Sequence, residues 1–300
     1  MHQHFRHPSK DVLRHASKNT KGFPEIKIPI QDDHICPGCT KGKMPAASHP
    51  SSETCAKKPF EKIHSDLKSF PVLSYHKHKY FITFLDDYTS FAWIVLLRSK
   101  GAAINALKQF LALIKNQYQT TPKQWMSDAG GEYKSDEFIH TLRDNGIKIL
   151  QSIPHIPQQN GHAERFMCTI MDKGEALCHQ ACIPDSWWEF SVEYALHIYN
   201  RTPLRWHSWK TPYELLNEEQ PDVSHLKVFG CGAYVHLPQD MCTNKLSPKS
   251  ELMIYFGPAE GIKGHCFMCS SRNIIFSAVQ VLFDETLFPK CKTAHIPQIT

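Results

Sequence analysis

Three hundred residues with 41% hydrophobic content are enough for one large domain or several small ones with real cores. No run of about 18 apolar residues occurs, and no apolar segment follows the basic start "MHQHFRHPSK", so neither a transmembrane helix nor a secretory leader is expected. The net charge of +5 resides at one end: residues 1–60 hold ten Lys/Arg against five Asp/Glu, 61–220 hold 17 against 18, and 221–300 hold seven against six. A basic module beside a near-neutral body suits a polyanionic partner.

In chain order, residues 1–48 are poor in large apolar side chains and rich in turn formers, so a segment of this kind needs a staple. His2 and His7, with four residues between them, and Cys36 and Cys39, with two, can close a tetrahedral Zn²⁺ site. Metal binding would then supply folding free energy. Eleven cysteines, an odd number with scattered spacing, otherwise predict free thiols in a reducing compartment. Residues 49–60, polar and containing Pro50 and Pro59, read as a linker.

The pattern then turns apolar. "IHSDLKSF" reads as a first strand. "KYFITFL" (79–85) and "FAWIVLL" (91–97) read as neighbouring strands around the turn "DDYTS". Residues 102–118 carry a helical apolar stripe. "PKQWM" and "IKIL" (147–150) are short strands, and between them a helix runs from Ser135 to a stop at Asn145-Gly146. After the turn-rich "PQQNGHAERF" comes a helix over about 161–181, with Ala163, Phe166, Ile170, Leu177 and Ala181 as its buried stripe. A second helix covers about 185–200, and Thr211 caps a third. From 225, "KVFG", "AYVHL", "ELMIYFG", "GHCFM" and "NIIFS" predict a small all-β barrel.

Three acids stand where strand ends and a helix start can converge on one edge of an α/β sheet. They are Asp66 in the first strand, Asp128 before Gly130-Gly131, and Glu164 in the first turn of the 161–181 helix. Three such carboxylates suit two Mg²⁺ or Mn²⁺ ions and phosphodiester chemistry. Each acid also has an ordinary structural reading: helix first turns favour acids, and so do turns before Gly-Gly. Asp86 and Asp87 compete for the role, unless "LDDYT" is only a turn. Cys266-x-x-Cys269 reads as core thiols and Trp187-Trp188 as core or interface.

"HQHFRHPS" with "CPGC", then "IHSDL", "SDAGGEY" and "PQQNGHAERF", then "LKVFGCGAYVHLP" with "KLSPKSELMIYFG", together resemble the integrase of copia-type LTR retrotransposons over nearly the whole chain. The 35 residues between Asp128 and Glu164 match the spacing of that family. The resemblance implies an α/β fold: a ribonuclease-H-like core (61–220) between an N-terminal zinc-binding helical domain and a C-terminal Src-homology-3-like barrel (225–300). It implies Asp66, Asp128 and Glu164 as metal ligands, 3′-end processing of element DNA, and joining of those ends to target DNA. The partners implied are double-stranded DNA and further copies of the chain in a multimer, acting in the nucleus after a cytoplasmic stage, with no membrane contact. Gln158, Gln159 and Asn160 fall on the loop that touches DNA ends. Where many relatives carry a basic residue soon after the Glu-Arg pair, this chain has Phe166-Met167-Cys168, and Lys173 is the next basic candidate for DNA contact. Two other readings stay open: a domesticated or relic DNA-binding module without catalysis, and a simple metal nuclease on the same core.

Overall fold

A computed structural model describes residues 56–128, 130–151, 161–238, 247–259 and 261–291, all within one compact unit, Glu53–Thr300. The expected zinc ligands His2, His7, Cys36 and Cys39 lie outside the described residues, as do Gln158, Gln159 and Asn160.

The first half builds a five-stranded mixed sheet in the order β3-β2-β1-β4-β5. β1 (Lys62–Ser69), β2 (Tyr80–Asp86) and β3 (Ala92–Leu97) form an antiparallel meander, while β4 (Gln124–Ser127) and β5 (Lys148–Gln151) run parallel to β1. A parallel neighbour requires a crossover. α1 (Ala103–Tyr118) supplies it between β3 and β4, and α2 (Asp136–Asp144) between β4 and β5. Gly146 takes φ 72° just after α2, the left-handed turn that the Asn-Gly signal predicts.

Side chains alternate across the sheet and so feed two cores. Ile63, Ile82, Phe84 and Trp125 pack with Leu107, Phe110 and Ile114 of α1 and Phe138 of α2. On the opposite face, Phe81 and Leu85 meet Phe166, Met167 and Ile170 of α3 (Gly161–Ala181) and Trp188, Val192 and Tyr199 of α4 (Trp188–Arg201). The end of the expected linker belongs to the first core. Phe60 is buried beside Tyr118, and its N–H donates to Asp86 at 2.7 Å.

α5 (Pro212–Asn217) starts as predicted, with Thr211 accepting from the Glu214 N–H at 3.0 Å. Beyond it lies a second five-stranded, wholly antiparallel sheet. It comprises β6 (Gly232–His236), β7 (Ser250–Pro258), β8 (His265–Cys269), β9 (Ile274–Ala278) and β10 (Val281–Asp284), in the order β10-β6-β7-β8-β9. "KVFG" is not a strand. It enters a turn at Gly230 (φ 79°), where a Cβ would overlap Ala181 at the end of α3. That close approach joins α3 to the second sheet, whose core includes Phe229, Tyr255 and Phe256 together with Trp187, Phe190 and Tyr194 from the α4 region.

Cys182 and Cys291 form a disulfide across 109 residues, where free thiols were expected. The pairing arises because the end of α3 meets the segment after β10, an adjacency with no local sequence signature. No helix among the described residues is long and apolar enough to cross a membrane.

Candidate active site

β1 places His64 and Asp66 on the face opposite Ile63, toward α3. Asp66 lies across from Thr83, whose hydroxyl donates to the Asp66 carbonyl at 3.2 Å. The Leu67 N–H donates to Asp66 Oδ1 at 2.9 Å. Ser127, the last residue of β4, sits in parallel register with Ser65. Asp128 therefore leaves the sheet beside Asp66, just past the carboxyl end of β4 and midway along β1. Its Oδ1 accepts the Gly130 N–H at 3.0 Å, which shapes the turn. Glu164 is exposed in the first turn of α3, on a helix held down by Ala163, Phe166, Met167 and Ile170. Leu177 of the predicted stripe is half-buried.

Electrostatics links the three acids. The Asp66 carboxyl is pushed up to about 6, first by burial and then by the charges of Asp128 and Glu164, against the Leu67 N–H and Lys68. Desolvation and like charges both disfavour ionisation. The three carboxylates do not all lie within 4.8 Å of one another, and the donors they offer are all carboxylate oxygens. That donor set fits a hard divalent cation.

The rivals separate. Asp86 is fully buried and accepts from the Phe60 N–H, the Thr89 N–H at 2.8 Å and the Thr89 hydroxyl at 2.7 Å. It builds the "LDDYT" turn, and burial raises its carboxyl above the usual range despite those bonds. Asp87 is the centre of a second group. Its Oδ1 lies 2.7 Å from His64 Nε2 and 3.6 Å from His162 Nδ1. Its Oδ2 accepts the Ala56 N–H at 2.8 Å and lies 3.2 Å from Lys62 Nζ. Burial works to raise this carboxyl, but hydrogen bonds from His162, His64 and Ala56 outweigh it and hold it far below the usual range. The sequence reading missed this cluster. One signal was present: each histidine stands two residues before a candidate acid, Asp66 or Glu164.

Lys173 is half-buried, with its ammonium over the Tyr199 ring at 5.7 Å. Nine residues after Glu164, it projects from the opposite side of α3. Arg165 donates from Nε to the Gly161 carbonyl at 3.0 Å. Cys269 is buried with its thiol near Glu251 and Ser271, and no second pair joins Cys266 and Cys269 among the described residues. Trp188 stacks on Phe70 at 3.8 Å, while Trp187 packs on Phe256. Both tryptophans belong to cores, on opposite sides of α4.

Comparison with known proteins bears on the family and the fold. Residues 56–157 match the Integrase core domain family, and 231–296 match the Retroviral polymerase SH3-like domain family. Over 270 residues, or 87% of the chain, it is 30% identical to the retrovirus-related Pol polyprotein from transposon TNT 1-94 of Nicotiana tabacum. It is 29% identical over 96% of its length to the Pol polyprotein from transposon RE2 of Arabidopsis thaliana. The chain spans about a fifth of those relatives, 20% and 19% respectively. A chain of the simian T-cell lymphotropic virus intasome, solved with PP2A regulatory subunit B56 gamma, superposes with a TM-score of 0.51 at 16% identity. That match covers 85% of this chain and 89% of the other, and it shows the shared fold: the mixed sheet is the ribonuclease-H-like integrase core.

Proposed function

Since the chain belongs with the copia-type Pol polyproteins and carries their integrase core domain, we propose that it is a retrotransposon integrase. It is read as a divalent-metal-dependent polynucleotidyl transferase that trims the 3′ ends of element DNA and joins them to target DNA. The observation that supports the reading is that Asp66, buried on β1, has its ionisation opposed by the charges of both Asp128 and Glu164.

Asp66, Asp128 and Glu164 would hold Mg²⁺ or Mn²⁺. When bound, such ions supply charge neutralisation for the attacking and leaving oxygens of an in-line displacement. The protein's own part is placement. β1 holds Asp66, the end of β4 leads into the turn that carries Asp128, and the buried stripe of α3 anchors the helix that carries Glu164. The loop with Gln158, Gln159 and Asn160 would lead DNA to the first turn of α3. Lys173, engaged by Tyr199, is the weakest of the proposed DNA contacts. Double-stranded DNA is thus the partner, in the nucleus. A multimer follows from the need to join two ends in concert. Zn²⁺ on His2, His7, Cys36 and Cys39 would staple the N-terminal domain.

The second sheet supports a barrel reading. β9 and β10 occupy its two edges yet are joined by only Val279 and Gln280. Edges of a flat five-stranded sheet lie about 19 Å apart, whereas that link spans at most about 11 Å. Only a strongly curled sheet, close to a closed small barrel, reconciles the two.

The test is strand transfer of a labelled duplex bearing the element's terminal sequence into plasmid DNA, with Mg²⁺ or Mn²⁺. Wild type should give joined product, and Glu164→Gln should reduce it to background. A folded, DNA-binding wild type that joins nothing would favour a relic without catalysis. Cutting without joining would favour a nuclease.

A further inference from the structure

His64, Asp87 and His162 come from three separate elements: β1, the residue after β2, and the first turn of α3. Their ligand atoms, one each, all lie within 4.8 Å of one another. The side chains of His64 and Asp87 are 4% and 10% exposed, and that of His162 is 30% exposed. The cluster is therefore built into the protein and open on one side only.

The geometry points to a transition-metal site, best suited to Zn²⁺, held by His64 Nε2, Asp87 Oδ1 and His162 Nδ1. Around a tetrahedral ion with bonds of about 2.0–2.1 Å, ligand atoms sit about 3.3 Å apart. The two distances from Asp87 Oδ1, 2.7 Å and 3.6 Å, bracket that value, and the separation of the two imidazole nitrogens is at most 4.8 Å, so the ion would draw the three ligands together chiefly by side-chain rotation. The imidazole rings meet edge-on, at 81° with centroids 5.6 Å apart, so their nitrogens converge while the rings do not crowd each other. The carboxylate is already aimed, because Ala56 N–H and Lys62 engage Oδ2 and leave Oδ1 toward the histidines. Such outer partners orient metal-binding carboxylates. The donor set decides the ion. Two imidazoles and one carboxylate suit Zn²⁺, Co²⁺ or Ni²⁺, whereas Mg²⁺ takes oxygens. Lys62 places a positive charge behind the carboxylate, so binding is weaker than at an all-anionic site. The fourth position would face the open side, beside His162, and take water.

The ion would tie the first turn of α3 to β1. Glu164 and Asp66 stand two residues beyond His162 and His64, so the tie would set how the two acids approach. That consequence rests on the integrase reading, whereas zinc binding itself does not.

The test counts metal, without DNA or magnesium. The full chain, stripped by chelator and refilled with Zn²⁺, is dialysed and its zinc measured by mass spectrometry for wild type, His162→Ala and His162→Gln. Both variants keep the N-terminal sequence, so any zinc bound there cancels in the difference. Glutamine can still donate to Asp87, and near-ultraviolet circular dichroism checks each fold. The expected result is one zinc per chain fewer in both variants. With Co²⁺ instead, a visible band lacking thiolate charge transfer should vanish with the same substitutions. Equal zinc in wild type and His162→Gln would overturn the proposal and leave the cluster as an ion-paired network alone. Loss confined to a misfolded His162→Ala, with His162→Gln retaining the ion, would overturn it too.

Discussion

At the residue scale, Asp66 carries a cost that its proposed role as a metal ligand would offset. Burial, with the charges of Asp128 and Glu164, pushes its carboxyl up to about 6, above the usual carboxylate range. A raised acid favours the fold while protonated. That contribution is whole below about pH 4 and is lost as the pH rises through 6. Without divalent ions, Asp66→Asn should therefore melt higher than wild type at pH 7–8, by roughly 2–4 °C, and the gain should disappear near pH 4. Melting curves at the two pH values decide the matter; an equal difference at both would show that ionisation is not its source. Added Mg²⁺ should stabilise wild type more than the variant.

Glu189 is a second buried acid, and hydrogen-bond partners surround it. It is fully buried and accepts from the Ser74 hydroxyl at 2.7 Å and the His76 N–H at 3.0 Å. Nδ1 of His76 and Nδ1 of His78 each lie 2.8 Å away. This saturated carboxylate pins the β1–β2 connection to α4. Glu189→Ala leaves the donors without their acceptor and should cost about 3 kcal/mol, a fall in Tm of roughly 6–12 °C. A Tm within 2 °C of wild type, taken here as roughly the worth of a surface substitution, would show that water replaces the carboxylate freely.

At the element scale, α4 does for β3 what a sixth strand would do. β3 is an edge of the mixed sheet. The Asn200 side chain accepts the Ala92 N–H at 3.0 Å and donates to the Ala92 carbonyl at 2.9 Å. Edge groups of this kind otherwise invite pairing with another chain. Asn200→Leu orphans both backbone groups and should cost about 2–4 kcal/mol; denaturant midpoints would measure it. The Cys182–Cys291 link works over a longer span, closing a loop of about 110 residues. Reduction, or a Cys182→Ser/Cys291→Ser pair, should lower stability by up to about 4 kcal/mol, and a reductant should then have no further effect on the double variant.

Legibility in the sequence divides along these same lines. α1, α3 and the meander strands were readable because their apolar periods run long enough to outvote local noise. β10, only four residues after a short link, was not read. "KVFG" looked like a strand because Val228 and Phe229 are residue types common in strands, but Gly230 turns the chain there to approach Ala181. The acids Asp66, Asp128 and Glu164 could be ranked only through resemblance, since each alone suits an ordinary turn or helix start. The partners of Asp87 lie 23 and 75 positions away along the chain, and no local pattern encodes contacts at that distance.

At the scale of the whole molecule, α4 belongs to two cores. Trp188, Val192 and Tyr199 complete the mixed sheet, while Phe190 and Tyr194, with the preceding Trp187, complete the antiparallel one. A chain ending at residue 220 keeps the expected catalytic boundaries but bares that second apolar face. It should aggregate or self-associate where residues 56–291 stay monodisperse, as light scattering would report. A truncated chain as well behaved as the longer one would show that the second sheet is dispensable for solubility.

The same helix bears on how freely the sequence can drift. Of the fourteen residues in α4, Glu193 alone is exposed. A surface helix normally offers half its positions to neutral change. This one answers to two neighbours at once, so a compensating substitution in either sheet leaves the other unsatisfied. In an exhaustive mutational scan, α4 would stand out as an intolerant band far from the candidate acids, broken only at Glu193.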